Sequence, residues 1–249
     1  MTRTKILITG ASAGLGAEMA RQFAAKDRDL ALCARRVDAL ETLRDELTAA
    51  HPGITVAVRA LDVDDHAAIP HVFAELRDEL GGLDRVIVNA GIGKGAKIGT
   101  GRADANLATA TTDFVSALAQ AEAALEIFRD QNSGHLVLVS SMSAVRGFPG
   151  KRAAYSASKA GLAALGDGLA TELRKSPIAV TTLLPGFIAT EMVSQAGDTR
   201  MIAPLNKGVA AMVSAIEAER VRACVPGWPW QLFDLVLPRL PRAVIAKIG

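Results

Sequence analysis

The chain has 249 residues, half of them apolar and 22% charged, with a formal net charge of +2. That composition supplies a large buried core and excludes an intrinsically disordered chain, and interspersed charges with 4% aromatic residues argue against a nucleic-acid surface. The two cysteines, Cys33 and Cys224, lie in separate apolar runs without metal-ligand spacing, so they read as reduced core thiols of a cytoplasmic protein, and no metal site is expected.

No signal-peptide pattern precedes the first apolar run, KILIT at 5–9, which ends at Gly10. A helical pattern follows from Gly14 to about Lys26. DLALCA (29–34) predicts a second strand and VDALETLRDELTAA (37–50) an amphipathic helix. ITVAVRALD (54–62) predicts a third strand, HAAIPHVFAELRDEL (66–80) a helix, and DRVIVNAG (84–91) a fourth strand. The Gly-rich loop GIGKGAKIGTG precedes a long Ala-rich helix expected to run unbroken to Arg129. GHLVLVSS (134–141) predicts the fifth strand, followed by the helix AAYSASKAGLAALGDGLATELRK, which stops before Pro177. IAVTTLLPG (178–186) and VRACVP (221–226) complete the strands. Strands alternating with helices predict one α/β domain over 1–249, with a parallel sheet covered by helices on both faces. The strands are continuously apolar, as two-sided burial requires. Ligands of such sheets bind beyond the carboxyl ends of the strands, so the residues there carry the functional reading.

After the first strand comes TGASAGLG (9–16), with Gly10, Ser12, Gly14, Leu15 and Gly16 at a helix start. Glycines let the backbone turn tightly and approach a phosphate where free N–H groups and the helix dipole favour anions. Arg35 and Arg36 end the second strand. An NAD site usually carries an acidic residue there for the ribose 2′-hydroxyl, whereas arginine suits a 2′-phosphate; Ser12 adds a hydroxyl to the same phosphate. The alternative is a solvated basic pair at a helix start. Asp62, followed by Val63, ends the third strand and faces an adenine amino group or caps the next helix. Asn89, Ala90 and Gly91 end the fourth strand, beside a ribose and nicotinamide, unless Asn89 ties neighbouring strands together.

Tyr155 is the only tyrosine, and Lys159 lies four residues on, on the same helix face. A free phenol is a poor base at neutral pH. An ammonium about 4 Å away would favour the phenolate by about 4 kcal/mol at an effective dielectric of about 20. That is about three pKa units before desolvation is subtracted, enough to bring the phenol into acid–base work. The alternative is an ordinary amphipathic face.

TGASAGLG, VNAG, the serine after the fifth strand, YSASK and LLPGFIAT in this order resemble the short, single-domain branch of the short-chain dehydrogenase/reductase family, over roughly residues 5 to 190. The resemblance implies a Rossmann fold with a doubly wound sheet of seven parallel strands, and hydride transfer between nicotinamide C4 and a carbonyl or secondary alcohol carbon. It implies Tyr155 as acid/base, Lys159 as its activator and ribose ligand, and Ser141 on the substrate oxygen, with Ser140 and Ser143 as alternatives. Pro185, Gly186, Ile188 and Thr190 would border the carboxamide and pyrophosphate. Two positions depart from the family pattern. A basic residue frequent in NADP enzymes is Ala13 here, which leaves NADP(H) selectivity to Arg35. The family's asparagine, whose backbone carbonyl holds a relay water near the lysine, is replaced by Asp113; Asn106 lies too far up the helix.

The expected protein is therefore an NADPH-dependent carbonyl reductase, reversible as an alcohol dehydrogenase. The competing expectation is a nucleotide-binding sensor or scaffold of the same fold that has lost its chemistry, for which Asp113 is the one sequence hint. The substrate is a small, hydrophobic carbonyl or alcohol compound, under a lid formed by about 190–249. Trp228, Trp230 and Phe233 with Arg239, Arg242 and Lys247 also suit a partner interface or weak membrane contact. Small residues on the Tyr155 helix, including Ala160, Ala163 and Ala164, together with the resemblance imply a homodimer or homotetramer.

Overall fold

Each apolar run becomes a strand in the computed structural model, which describes residues 3–190 and 202–248. The strands are β1 (Lys5–Thr9), β2 (Asp29–Ala34), β3 (Val56–Ala60), β4 (Arg85–Val88), β5 (Gly134–Val139), β6 (Ile178–Pro185) and β7 (Arg222–Val225). All pair in parallel, in the order β3-β2-β1-β4-β5-β6-β7. This is the doubly wound Rossmann arrangement. The order reverses between β1 and β4, which opens a crevice at their carboxyl ends.

Side chains alternate across a strand, so each strand feeds two cores. Ile6, Ile8, Leu30 and Leu32 pack with Met19 and Phe23 of α1 (Gly14–Ala24), Leu40 and Leu43 of α2 (Val37–Ala50), and Met212 of α7 (Leu205–Glu217). Leu7, Ala31 and Val86 face the other way. They meet Ile69 and Phe73 of α3 (Ala68–Leu80), Ala117 and Ala121 of α5 (Ser116–Asp130), and Leu162 of α6 (Ala153–Leu173). The first two strands have the predicted bounds, and the other five are one to four residues shorter than predicted.

One element differs in kind. The helix expected to run unbroken to Arg129 is α4 (Ala103–Ala110), a π-helical turn over Thr111–Val115, and then α5. Across that turn the Ser116 N–H donates to the Thr111 carbonyl, five residues back, which inserts one residue into the helical spiral. Thr111, Thr112, Phe114 and Val115 are all indifferent α-helix formers, so the local cost of the insertion is small. Beyond β7, α8 (Trp230–Val236) packs on β7 at the sheet edge, and α9 (Arg242–Ile248) follows it.

Candidate active site

A cleft of about 650 Å³ lies over the carboxyl ends of the strands. Its floor is the turn between β1 and α1. Gly10 has φ +64°, and a Cβ there would come within 2.9 Å of the Ala90 backbone; only glycine fits. Ala13 precedes α1 in extended conformation and no side chain caps it, nor is there an acidic residue in the first turn. The first N–H groups of α1 therefore face the cleft without a protein side-chain acceptor, as an anion site needs. Ser12, Gly14 and Leu15 line the cleft as expected, but Gly16 does not. A Cβ on Gly16 would lie 2.4 Å from the Gly10 carbonyl oxygen and 2.8 Å from Asn89 Nδ2. Its glycine serves helix-on-turn packing.

Arg35, Arg36, Asp62 and Val63 line one end of the cleft. Both arginines are exposed, and Arg36 Nε donates to Ser12 Oγ at 3.3 Å, so basic strand end and glycine turn meet. Asp62 Oδ1 accepts from the Asp64 N–H at 3.2 Å, a local turn bond that leaves its other oxygen free for the cleft. Asn89 and Ala90 also line the cleft. The Asn89 amide donates to the Thr9 carbonyl at 2.9 Å, so the strand-tying role is realised alongside the cleft position.

At the other end stand Ser141, Tyr155, Lys159, Pro185, Gly186, Ile188 and Thr190, with Gly91 beneath. The three serines separate by their bonds. Ser140 is buried and donates to the Lys159 carbonyl at 2.7 Å, which anchors α6 to β5. Ser141 lines the cleft, and its Oγ accepts from the Ser143 N–H at 3.1 Å, leaving its proton available. Ser143 does not line the cleft. Lys159 is 4% exposed, and its ammonium donates to the Val139 carbonyl at 3.2 Å. It lies 5.8 Å from the centroid of the Tyr155 ring.

The expected depression of the Tyr155 pKa is not what this environment produces. Although the residue keeps some solvent contact, the protein packed around the phenol pushes its pKa above the ordinary 10; Lys159 and the Ser141 hydroxyl pull it down, and Asp113 pushes it further up. The sequence argument set one attraction against an unsubtracted desolvation, and desolvation wins.

Asp113, on the π turn, is fully buried. Its Oδ1 accepts from the Ile92 N–H at 2.8 Å and lies 3.9 Å from Lys159 Nζ; its Oδ2 has no partner. Burial raises its pKa, Lys159 and the Ile92 bond lower it, and Asp64 raises it. Gly91 makes room for the pair: a Cβ there would sit 2.8 Å from Asp113 Oδ1 and 3.3 Å from Lys159 Nζ. Asn106 is elsewhere, accepting from the Ala96 N–H at 2.8 Å and so holding the glycine-rich loop.

Several cleft residues escaped the sequence reading, among them Asp64, Ile92, Lys94 and Thr112. Asp64 accepts from Thr112 Oγ1 and Ser116 Oγ, both at 2.8 Å, so the loop after β3 braces the π turn. The only hint in the sequence was the acidic run DVDD after the third strand.

A profile of the short chain dehydrogenase family matches residues 4–201. An uncharacterized oxidoreductase of Mycobacterium tuberculosis is 55% identical over 246 residues, with 97% of each chain covered. The dehydrogenase/reductase SDR family member 7B of Mus musculus is 34% identical, over 85% of this chain and 67% of that one. Among solved structures, levodione reductase is similar with a TM-score of 0.83 at 25% identity, covering 94% of this chain and 98% of that one. An NADPH-dependent 3-quinuclidinone reductase from Rhodotorula rubra gives a TM-score of 0.80 at 26% identity, with 90% of each chain covered.

Proposed function

Because the chain belongs to the short-chain dehydrogenase family, we propose that it is an NADP(H)-dependent carbonyl reductase, reversible as a secondary-alcohol dehydrogenase. The observation that carries this reading is the convergence of Ser141, Tyr155 and Lys159 on the same cleft as the β1–α1 glycine turn. The cleft fits a dinucleotide: the uncapped α1 N-terminus offers N–H groups to a pyrophosphate, and the positive φ of Gly10 and Gly14 shapes the turn that presents them. Bound there, the cofactor would supply the hydride to the carbonyl carbon.

The protein's own residues supply the proton. Ser141 hydrogen-bonds the substrate oxygen and orients it toward Tyr155. A phenol whose pKa is raised is fully protonated at neutral pH, so Tyr155 donates its proton to the carbonyl oxygen as the alcohol forms. Lys159 stabilises the phenolate left behind and holds the nicotinamide ribose. Asp113, at the asparagine position, would hold a relay water near Lys159 through its backbone carbonyl. Oxidation of an alcohol needs the phenolate, so its rate should rise with pH over a range where reduction falls.

NADP(H) over NAD(H) rests on Arg35 and Arg36 at the end of β2, where no carboxylate competes for a ribose 2′-hydroxyl. The 26%-identical 3-quinuclidinone reductase, described as NADPH-dependent, supports the same choice. Trp230, packed under Gly186 with Phe187 and Phe233, backs the substrate end with an apolar cluster and supports a hydrophobic ketone or alcohol. The remainder of the proposed lid, 191–201, lies outside the described residues. We place 1–249 in one nucleotide-binding domain of a cytoplasmic homodimer or homotetramer assembled through α6.

The deciding experiment is Tyr155→Phe, with NADPH consumption followed over a panel of ketones. The variant should bind NADPH as the parent does and lose turnover by at least about a hundredfold. Full activity on every parent substrate would remove Tyr155 from the mechanism. A parent that binds NADPH but turns over no ketone would favour the sensor or scaffold reading, which rests on the carboxylate 3.9 Å from Lys159 Nζ.

A further inference from the structure

Nine large apolar side chains are exposed among the described residues, and five of them, Trp228, Leu232, Leu235, Val236 and Val244, fall within 228–244. Trp228 is 74% exposed and Leu235 62%. Leu232, Leu235 and Val236 are spaced by three and four, so they share one face of α8, opposite the buried Trp230. This face is fixed to the body of the protein. Trp230 stacks edge-on against Phe187 with ring centroids 5.4 Å apart, and Arg146 donates to the Pro238 and Leu240 carbonyls at 3.3 Å.

The charges around it have one sign. Asp234 is the only carboxylate of residues 222–248, and Arg222 occupies it at 2.7 Å. Arg239, Arg242 and Lys247 are exposed and have no carboxylate partner among the described residues. Among the described residues, Arg239 bonds only the Leu235 carbonyl. An apolar face beside cations that have no carboxylate partner among the described residues complements a surface with phosphates above and hydrocarbon below. A second copy of this face fits less well, because it offers the same three cations and, within 222–248, only Asp234, already held by Arg222, to meet them.

We propose that the C-terminal face, α8 with α9, docks this protein on an anionic bilayer surface. Trp228 and the leucines enter the headgroup layer, and Arg239, Arg242 and Lys247 meet lipid phosphates. The contact is interfacial: no helix among the described residues is long and apolar enough to cross a membrane. The same segment carries Trp230 against Gly186, so the cleft would lie about one helix diameter, ~10 Å, from the lipid. Docking requires no turnover, so its test is separate from that of the reductase reading.

The test is co-sedimentation of the full chain with vesicles of phosphatidylcholine and phosphatidylglycerol in equal parts, and with phosphatidylcholine alone. The parent should bind the anionic vesicles, bind neutral ones far less, and be released as salt rises. Arg239→Gln/Arg242→Gln/Lys247→Gln should lower binding on the order of a hundredfold. Trp228→Ser/Leu235→Ser should lower it as well, with folding of both variants checked by thermal melts. Absence of binding, equal binding to both vesicles, or an unaffected triple variant would each overturn the proposal. So would light scattering without lipid in which Trp228→Ser/Leu235→Ser alone breaks an oligomer, which would assign the face to a second copy.

Discussion

At position 113 the chain buries a carboxylate where nothing neutralises it fully. Oδ1 is held by the Ile92 N–H and faces Lys159 across 3.9 Å, too far for a hydrogen bond, while Oδ2 is unpartnered. Such a group weakens the influence of Lys159 on Tyr155 and adds its own repulsion to the phenolate. Asparagine would keep the Ile92 bond and remove the charge. Asp113→Asn should therefore keep activity within about tenfold and shift the pH–rate profile of alcohol oxidation toward lower pH. An unmoved profile would show that the carboxyl is neutral throughout or does not couple to Tyr155. At the opposite end of the cleft, Arg35→Asp should replace attraction for a 2′-phosphate with repulsion. The loss of a charge-assisted hydrogen bond, about 1.5–3 kcal/mol, should cut the NADPH-to-NADH ratio of kcat/KM by at least about tenfold. An unchanged ratio would take Arg35 out of the site.

Among the elements, the π turn and the C-terminal helices hold what periodicity did not reveal. A single inserted residue leaves the apolar pattern of a helix nearly intact, so Thr111–Val115 read as ordinary helix. Its effect appears only in three dimensions: Asp113 faces Lys159 while Phe114 packs on Gly161. Trp230 was legible as apolar but not as the side chain behind Gly186, because Gly186 lies more than forty residues earlier. A Cβ on Gly186 would fall 2.1 Å from the Trp230 ring. Gly186→Ala should therefore displace α8 and cost about 2 kcal/mol, or about 6 °C in Tm for a chain of this size. A melt identical to the parent's would mean that α8 yields freely.

For the molecule as a whole, the amino ends of the strands carry a charged network far from the cleft. Arg85, 1% exposed, donates to His135 Nδ1 at 2.9 Å and pairs with Glu217, which Arg28 also contacts. His135 therefore carries its proton on Nε2, where it donates to Thr181 Oγ1 at 2.8 Å. Burial first, then Arg85 and Arg3, hold the His135 pKa well below its ordinary 6.5. The folded protein thus binds this proton more weakly than the unfolded chain. Stability is fully present above the unfolded pKa and falls as pH drops below about 6.5, by up to ~1.4 kcal/mol per pH unit from this group. His135→Gln should flatten that acid-side loss of Tm. Equal slopes for parent and variant would show that other groups dominate.

The seven strands, the parallel sheet, the places of Gly10, Arg35 and Ser141 at strand ends and those of Tyr155 and Lys159 on the helix after the fifth strand were all legible in the chain. They depend on local apolar runs, turn residues and the rule that parallel strands present their carboxyl ends together. The direction of the Tyr155 pKa, the packing duty of Gly16, and the burial of Asp113 beside Lys159 were decided by the fold. Each depends on how much protein surrounds a group and which distant residues share its space. Desolvation and long-range contact are sums over the packed molecule, and no spacing along the chain records them.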